Sequence, residues 1–334
     1  MALTVAVTVT YGARWHLLKE AIEAALEDGV GAVVLVDNGS SGDVASHVAT
    51  SFQSRVTVVR NARNLGSAAG FARGMEEALK FSPDYVLLLD DDNAMIPGCL
   101  ATLEATYVAW SSTIPEHSLA VLAHRPSHLP NVEEHGIEKR MLPPRAAFFG
   151  FSVTDIPNKL WRRVRSSLGR GQAKQQPGCI VVETAPYSGL FFKPTVITSH
   201  GIPDERFVLY ADDTDFSFRL SAAGGRIVMN PEAQIRDIEP SWNVPGESIS
   251  SFDVWLLGSS DMRAYYAARN HAYWERFRRG GHGVARAANR EVFLGLLTAR
   301  GRILGKPERV ALLKRAIRDG EAEHLGEHPH YPLT

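Results

Sequence analysis

Over its first hundred residues the chain repeats one pattern, a short apolar burst followed by a stretch with helical periodicity. Leu3–Thr10, Gly31–Val36, Val56–Arg60 and Tyr85–Leu89 are runs rich in Val, Leu and Thr, short enough to be strands. Between them, Trp15–Leu26 brings Leu18, Ile22, Ala25 and Leu26 onto one helical face, and Gly66–Lys80 is a helix rich in Gly and Ala. Strands that alternate with helices build parallel β-α-β units, so the pattern predicts an α/β fold. In such sheets ligands collect outside the carboxyl ends of the strands.

Two of those ends are conspicuously polar: Asp37-Asn38-Gly39-Ser40-Ser41 after one strand and Asp90-Asp91-Asp92-Asn93 after another. Three adjacent carboxylates raise one another's pKa unless a cation lies between them. Their hard oxygens suit Mg²⁺ or Mn²⁺, ions that bridge protein carboxylates and substrate phosphates. Strand alternation sends Asp90 and Asp92 to one side and Asp91 to the other. A solvated acidic turn is the plain alternative.

A second cluster, Asp212, Asp213 and Asp215, precedes a helix that ends at Gly224-Gly225. Acids favoured by a helix N-terminus explain part of it. A general base that takes a proton from an attacking hydroxyl explains it as well. One carboxylate on a metal and another on a hydroxyl is what displacement from a nucleotide sugar needs, with the leaving diphosphate neutralised by the metal.

Elsewhere regularity weakens. Much of Glu116–Pro144, with its His and Pro, and of the basic stretch Asn158–Pro177 reads as irregular. Cys179–Val182, Gly189–Phe192 and Arg226–Met229 read as further strands, and from about Asp261 the chain is helical and basic. With 36 basic and 37 acidic residues, no whole-protein charge favours nucleic acid. Cys99 and Cys179 form neither a metal spacing nor a disulfide framework, which suits a cytoplasmic setting. Met1–Thr10 reads as a strand rather than a signal peptide, and no apolar run is long enough to span a bilayer.

In order along roughly two thirds of the chain, five stretches resemble the inverting glycosyltransferases of family 2, nearest to galactofuranosyl- and rhamnosyltransferases. They are Val9-Thr10-Tyr11, Val36–Ser41, Asn64-Leu65-Gly66, Leu88–Asp92, and Tyr210–Phe216 with Arg219. The resemblance implies a GT-A fold, Rossmann-like with a mostly parallel sheet, over residues 1–240, and a mainly helical region over 241–334. It implies that Thr10 and Asp37 contact the nucleoside and that Asn64 and Gly66 lie beside the nucleotide. Asp90, with Asp91 next to it, is expected near the ribose and diphosphate, and Asp92 as principal metal ligand. Asp212 or Asp213 is the expected base. The chain departs from many relatives in carrying Phe71 for an Arg and Asp237 for a late metal-binding His. Arg269, in a Tyr265-Tyr266…Arg269-Asn270 helix like that of galactofuranosyltransferases, is a candidate for a phosphate or for a salt bridge.

The expected function is metal-dependent transfer of a sugar from a UDP- or dTDP-linked donor, galactofuranose or rhamnose, to a glycan or lipid-linked glycan in surface-polysaccharide assembly. A nucleotidyltransferase is the enzymatic rival, for which Tyr11-Gly12-Ala13-Arg14 is a poor phosphate loop. A non-catalytic sugar-binding protein on the same fold is the other. Trp242 and Trp255 suit either a sugar platform or a core. Arg269–Arg318, basic with an apolar stripe, predicts either helices packed on the catalytic domain or peripheral contact with the inner face of a membrane.

Overall fold

A computed structural model describes residues 2–126, 142–155, 178–239, 251–258 and 260–333. Trp242 and the basic stretch 158–177 lie outside the described residues. The chain divides into two compact units: Met1–Pro130 with Pro177–Ser241 and Leu333–Thr334, and Asn131–Gln176 with Trp242–Pro332.

The first unit is built on strands β1 (Thr4–Thr10), β2 (Ala32–Asn38), β3 (Val56–Asn61), β4 (Tyr85–Asp90), β5 (Asn93–Met95), β6 (Leu119–His124), β7 (Ile180–Val182), β8 (Leu190–Phe192) and β9 (Arg226–Asp237). They form one sheet in the order β3-β2-β1-β4-β8-β6-β9-β5, with β7 also on β9. The first four strands are parallel, and their register sets Thr10 opposite Asp37, Asn38 opposite Asn61 and Val9 opposite Asp90. Their polar carboxyl ends therefore form one row.

Helices α1 (Trp15–Glu27), α2 (Val44–Phe52), α3 (Gly66–Leu79) and α4 (Cys99–Ser111) link these strands. Helix α1 buries Leu17, Leu18, Ala21, Ile22 and Ala25, the face its periodicity foretells. Helix α3 lies so close to the sheet that a Cβ on Gly74 would fall 2.4 Å from a Val7 methyl, which explains its small residues.

Two strands differ from the sequence expectation. The stretch 116–144 contains β6, every residue of which is buried. Its apolar core, Leu119–Ala123, is hidden in a window average by the flanking His and Pro. Strand β9 continues past Met229 to Asp237 despite Pro231. The register against β6 shifts there, Ala123 pairing with Asn230 and His124 with Gln234, so the proline sits in an irregularity where no ladder hydrogen bond is needed. Helices α5 (Pro194–His200) and α6 (Asp212–Ala222) complete the unit.

The second unit holds α7 (Ser251–Leu257), α8 (Asp261–Tyr273), α9 (Val284–Ile303) and α10 (Pro307–Glu321). Buried Glu275 accepts hydrogen bonds from the Phe149 amide at 3.0 Å and from Arg286 at 2.8 Å, and Asn289 ties down Val153 and Ala146. Segment 142–155 is thereby fixed to the helices of its own unit. Trp255 packs against Phe149 at a ring separation of 5.3 Å.

Candidate active site

The strand ends of the first unit are cross-linked by side chains. Asn38 is saturated: its amide nitrogen donates to Asn64 Oδ1 at 3.1 Å and Gly66 O at 3.0 Å. Its oxygen accepts from Asn61 Nδ2 at 2.9 Å and the Leu65 amide at 3.1 Å. One residue thus fixes the Asn64–Gly66 loop to the end of β2. Asp37, 1 % exposed, accepts from the Ser40 amide at 2.8 Å and faces Arg60 at 3.6 Å.

Gly66 has φ +88°, and a Cβ there would lie 2.0 Å from the Val208 carbonyl oxygen. Only glycine satisfies both conditions. The contact joins the start of α3 to the turn before α6, where Val208, Tyr210 and Ala211 all have positive φ without being glycine. Backbone strain of this kind, roughly 1–3 kcal/mol per residue, persists where surrounding structure enforces it and concentrates at functional sites.

The acidic cluster lies at the end of β4. Thr10 donates to Asp91 Oδ2 at 2.7 Å, and Arg14 donates to Asp91 at 3.0 Å and Asp92 at 2.8 Å. Asp91 and Asp92 therefore meet a common guanidinium instead of diverging fully, because the strand stops at Asp90. Strand β5 pairs Asn93 with Asp237, and the Asn93 amide donates to Asp92 Oδ1 at 3.2 Å and Asp237 Oδ1 at 3.0 Å. Asp237 is thus brought to the cluster. Arg125, just beyond β6, binds Asp237 and lies 3.8 Å from Asp90.

Desolvation, then the charge of Asp92, pushes the Asp90 carboxyl up to about 7, against the pull of Arg125, although its side chain keeps 37 % of its surface. Asp91 is likewise raised by burial, against Arg14 and Thr10. Among the described residues no three His, Cys, Asp or Glu side chains form a ready-made cation site. The chemistry nevertheless fits a hard divalent ion. Asn93 bridges the carboxylates of Asp92 and Asp237, Asp92 is 30 % exposed, and the Asn93 side-chain oxygen is buried without a hydrogen-bond partner.

The second cluster opens α6. Asp212, 2 % exposed, accepts from Ser67 Oγ at 2.8 Å. Burial, then the neighbouring Asp213, pushes its carboxyl up to about 7. Asp213 is also raised by burial, but it is turned back to the Thr214 amide at 2.6 Å. Asp215 is fully buried and pairs with Arg219 at 3.3 Å, which in turn donates to the Ile202 carbonyl at 2.8 Å. The Tyr187 ring packs, tilted, against Phe71 at 4.1 Å, and burial, then the charge of Asp212, holds its hydroxyl well above the usual tyrosine range.

Arg269 is placed in the second unit and is not among the residues that the first unit assembles. It is 1 % exposed, lies 4.7 Å over the Tyr266 ring, and donates to Asn270 Oδ1 and the Gly326 carbonyl. These contacts are with a ring, a side-chain amide and a backbone carbonyl of its own unit. Sequence reasoning missed Ser67, Tyr187 and Arg125. Arg125 follows an apolar run, the same signal that exposed Asp37 and Asp90. Tyr187 carries no such signal, because its partner lies on a distant helix.

Known proteins resemble this chain in sequence and in fold. Residues 5–109 match glycosyl transferase family 2. Galactofuranosyltransferase GlfT1 of Mycobacterium tuberculosis is 30 % identical over 199 residues, covering 58 % of this chain and 55 % of that protein. Its counterpart in Mycolicibacterium smegmatis is 27 % identical over 195 residues, covering 58 % and 56 %. The match therefore spans about half the length of these relatives. In structure, S. aureus TarS 1–349 in complex with UDP-GlcNAc superposes with TM-score 0.53 at 13 % identity over 95 % of this chain and 80 % of that one. GalNAc-T7 with UDP, GalNAc and Mn²⁺ gives 0.52 at 12 % identity over 82 % and 47 %. These two establish the fold alone. Over residues 5–109 the chain matches glycosyl transferase family 2, and its architecture is that of the GT-A fold.

Proposed function

We propose that this chain is an inverting glycosyltransferase that moves galactofuranose or rhamnose from a UDP- or dTDP-linked donor to a hydroxyl of a glycan or lipid-linked glycan. The observation that carries the reading is Asp212. It is a buried carboxylate, pushed up to about 7, at the strained start of a helix whose preceding turn is tied to the Asn64–Gly66 loop. A base of that strength is matched to work near neutral pH. The names of the GlfT1 relatives support galactofuranose as the first donor sugar to test.

In this mechanism Thr10 and Asp37 line the nucleoside side, Asn64 and Gly66 shape the loop beside the nucleotide, and Asp90 and Asp91 face the ribose and diphosphate. Asp92 and Asp237, bridged by Asn93, are the residues that would hold Mg²⁺ or Mn²⁺, which would supply charge neutralisation for the departing diphosphate. Asp212 accepts the proton of the acceptor hydroxyl as its oxygen bonds to the anomeric carbon. The bond from that carbon to the diphosphate oxygen breaks on the opposite side, so the configuration inverts. Ser67 fixes the carboxylate, and Asp213 stands beside it.

The test is donor turnover with and without Mn²⁺. Full turnover by the wild-type chain in excess chelator overturns the metal assignment. Asp92→Ala is expected to remove activity and metal dependence together. Asp212→Asn is expected to retain donor binding while lowering transfer at least about a hundredfold. If Asp213→Asn shows that loss and Asp212→Asn does not, the base is Asp213.

A further inference from the structure

Helices α9 and α10 of the second unit enclose an open groove of about 700 Å³. It is lined by small and apolar Leu294, Gly295, Ala299 and Ala311 and by Arg302, Lys314, Arg315 and Arg318, with the Arg290–Glu291 ion pair also on its wall. Most other cations of this region are engaged. Arg286 is bound to Glu275, Arg290 to Glu321, Arg300 to Asp253 and Arg309 to Asp261. The four rim cations pair with no carboxylate among the described residues, so a positive field is left over one groove.

A second observation comes from the same helix. Val292, Leu296 and Ile303 are 39 %, 41 % and 74 % exposed. At 3.6 residues per turn they fall within about 40° of one another, forming a stripe on the groove's flank rather than on the packed face of Phe293 and Leu297. Isolated exposed apolar side chains need no explanation, but a stripe bordering an unpaired basic groove does.

We infer that this groove and stripe form a docking surface for the anionic phospholipid headgroups of a bilayer. A soluble phosphate would satisfy the four cations and leave the stripe in water. A purely apolar partner would bury the stripe and leave the cations unmatched. A bilayer interface presents phosphate charge with hydrocarbon directly beneath it, so it satisfies both, and each Lys or Arg near an anionic surface adds to the attraction. The surface is independent of the transfer chemistry, and its test reads no sugar.

The test is co-sedimentation of the full-length chain with phosphatidylglycerol or phosphatidylcholine vesicles at low and high salt. Binding is expected only with phosphatidylglycerol and is expected to weaken with salt. Arg302→Gln, Arg315→Gln and Arg318→Gln together, all at exposed positions, should reduce partitioning by roughly a hundredfold. Lys19→Gln, Lys80→Gln and Arg206→Gln remove the same charge from exposed sites of the other unit and should reduce it far less. Leu296→Gln with Ile303→Gln should weaken binding at unchanged net charge. Circular dichroism checks that each variant is folded. Equal recovery in the supernatant with both lipids, equal binding to both, or equal loss in the two charge-matched triple variants overturns the proposal.

Discussion

The role proposed for Asp212 as the base carries a cost in stability. Pushed up to about 7 by burial, the Asp212 carboxyl lies above the usual carboxylate range, so the folded protein holds this proton more tightly than the unfolded chain does. The sign follows: stability from this group is full below the unfolded value, is lost as pH rises towards 7, and stays lost above. Asp212→Asn should therefore melt higher than wild type at pH 8, and the gap should close towards pH 4. Transfer should run the other way, falling as pH drops below about 7 and the base becomes protonated. Tyr187 tunes the same group, because its hydroxyl favours the ionised carboxylate of Asp212, alongside Ser67. Tyr187→Phe should shift the acid limb of the rate profile to higher pH. An unmoved limb in that variant would reduce Tyr187 to a packing residue. The Asp90–Asp92 and Asp212–Asp215 clusters were legible in the sequence because crowded carboxylates after a strand or before a helix stand out. Their partners Ser67, Tyr187 and Arg125 were not, since a hydroxyl or a single arginine acquires meaning only from what the fold sets beside it.

At the scale of elements, the site is a junction between the start of α3 and the start of α6. Gly66 lies where the two touch, and the Ala68 amide donates to the Val208 carbonyl at 3.3 Å. Gly66→Ala meets both an unfavourable φ and a backbone oxygen that has no flexible side chain to yield. A loss of about 2–3 kcal/mol, in the upper range for single substitutions, is expected in urea denaturation, together with weaker nucleoside diphosphate binding. Wild-type stability in that variant would show that the turn before α6 can move away. The first four strands were legible because burial on both faces makes each an apolar burst between helices. The later ones were less so. Strand β8 is only Leu190–Phe192 and is antiparallel to both neighbours, a pairing decided by distant chain. Strand β9 reaches Asp237 only because the irregularity opposite β6 accommodates Pro231, and no propensity rule places that residue beside Asp92.

At the scale of the whole molecule, composition was a poor guide to which charges are free. The C-terminal helices read as uniformly basic, yet burial and ion pairing engage Arg286, Arg290, Arg300 and Arg309 and leave a local surplus elsewhere. The fold also governs how the molecule ages. Asn38 is followed by Gly39, the pairing in which a backbone nitrogen most readily attacks a side-chain amide, releasing ammonia through a succinimide to leave aspartate or isoaspartate. In the folded state Asn38 is 2 % exposed and all its polar atoms are committed, so the attacking geometry is withheld. Each unfolding event lifts that protection. Conversion leaves an oxygen where the amide nitrogen faced the Asn64 and Gly66 oxygens, turning two attractions into repulsions. Protein incubated near its melting temperature should lose activity without fragmenting, with deamidation mapped by peptide mass to Asn38. Donor bound in advance should slow both losses together. The saturated asparagine thus makes the chemical lifetime of the proposed nucleotide site a running record of how often the chain has come undone.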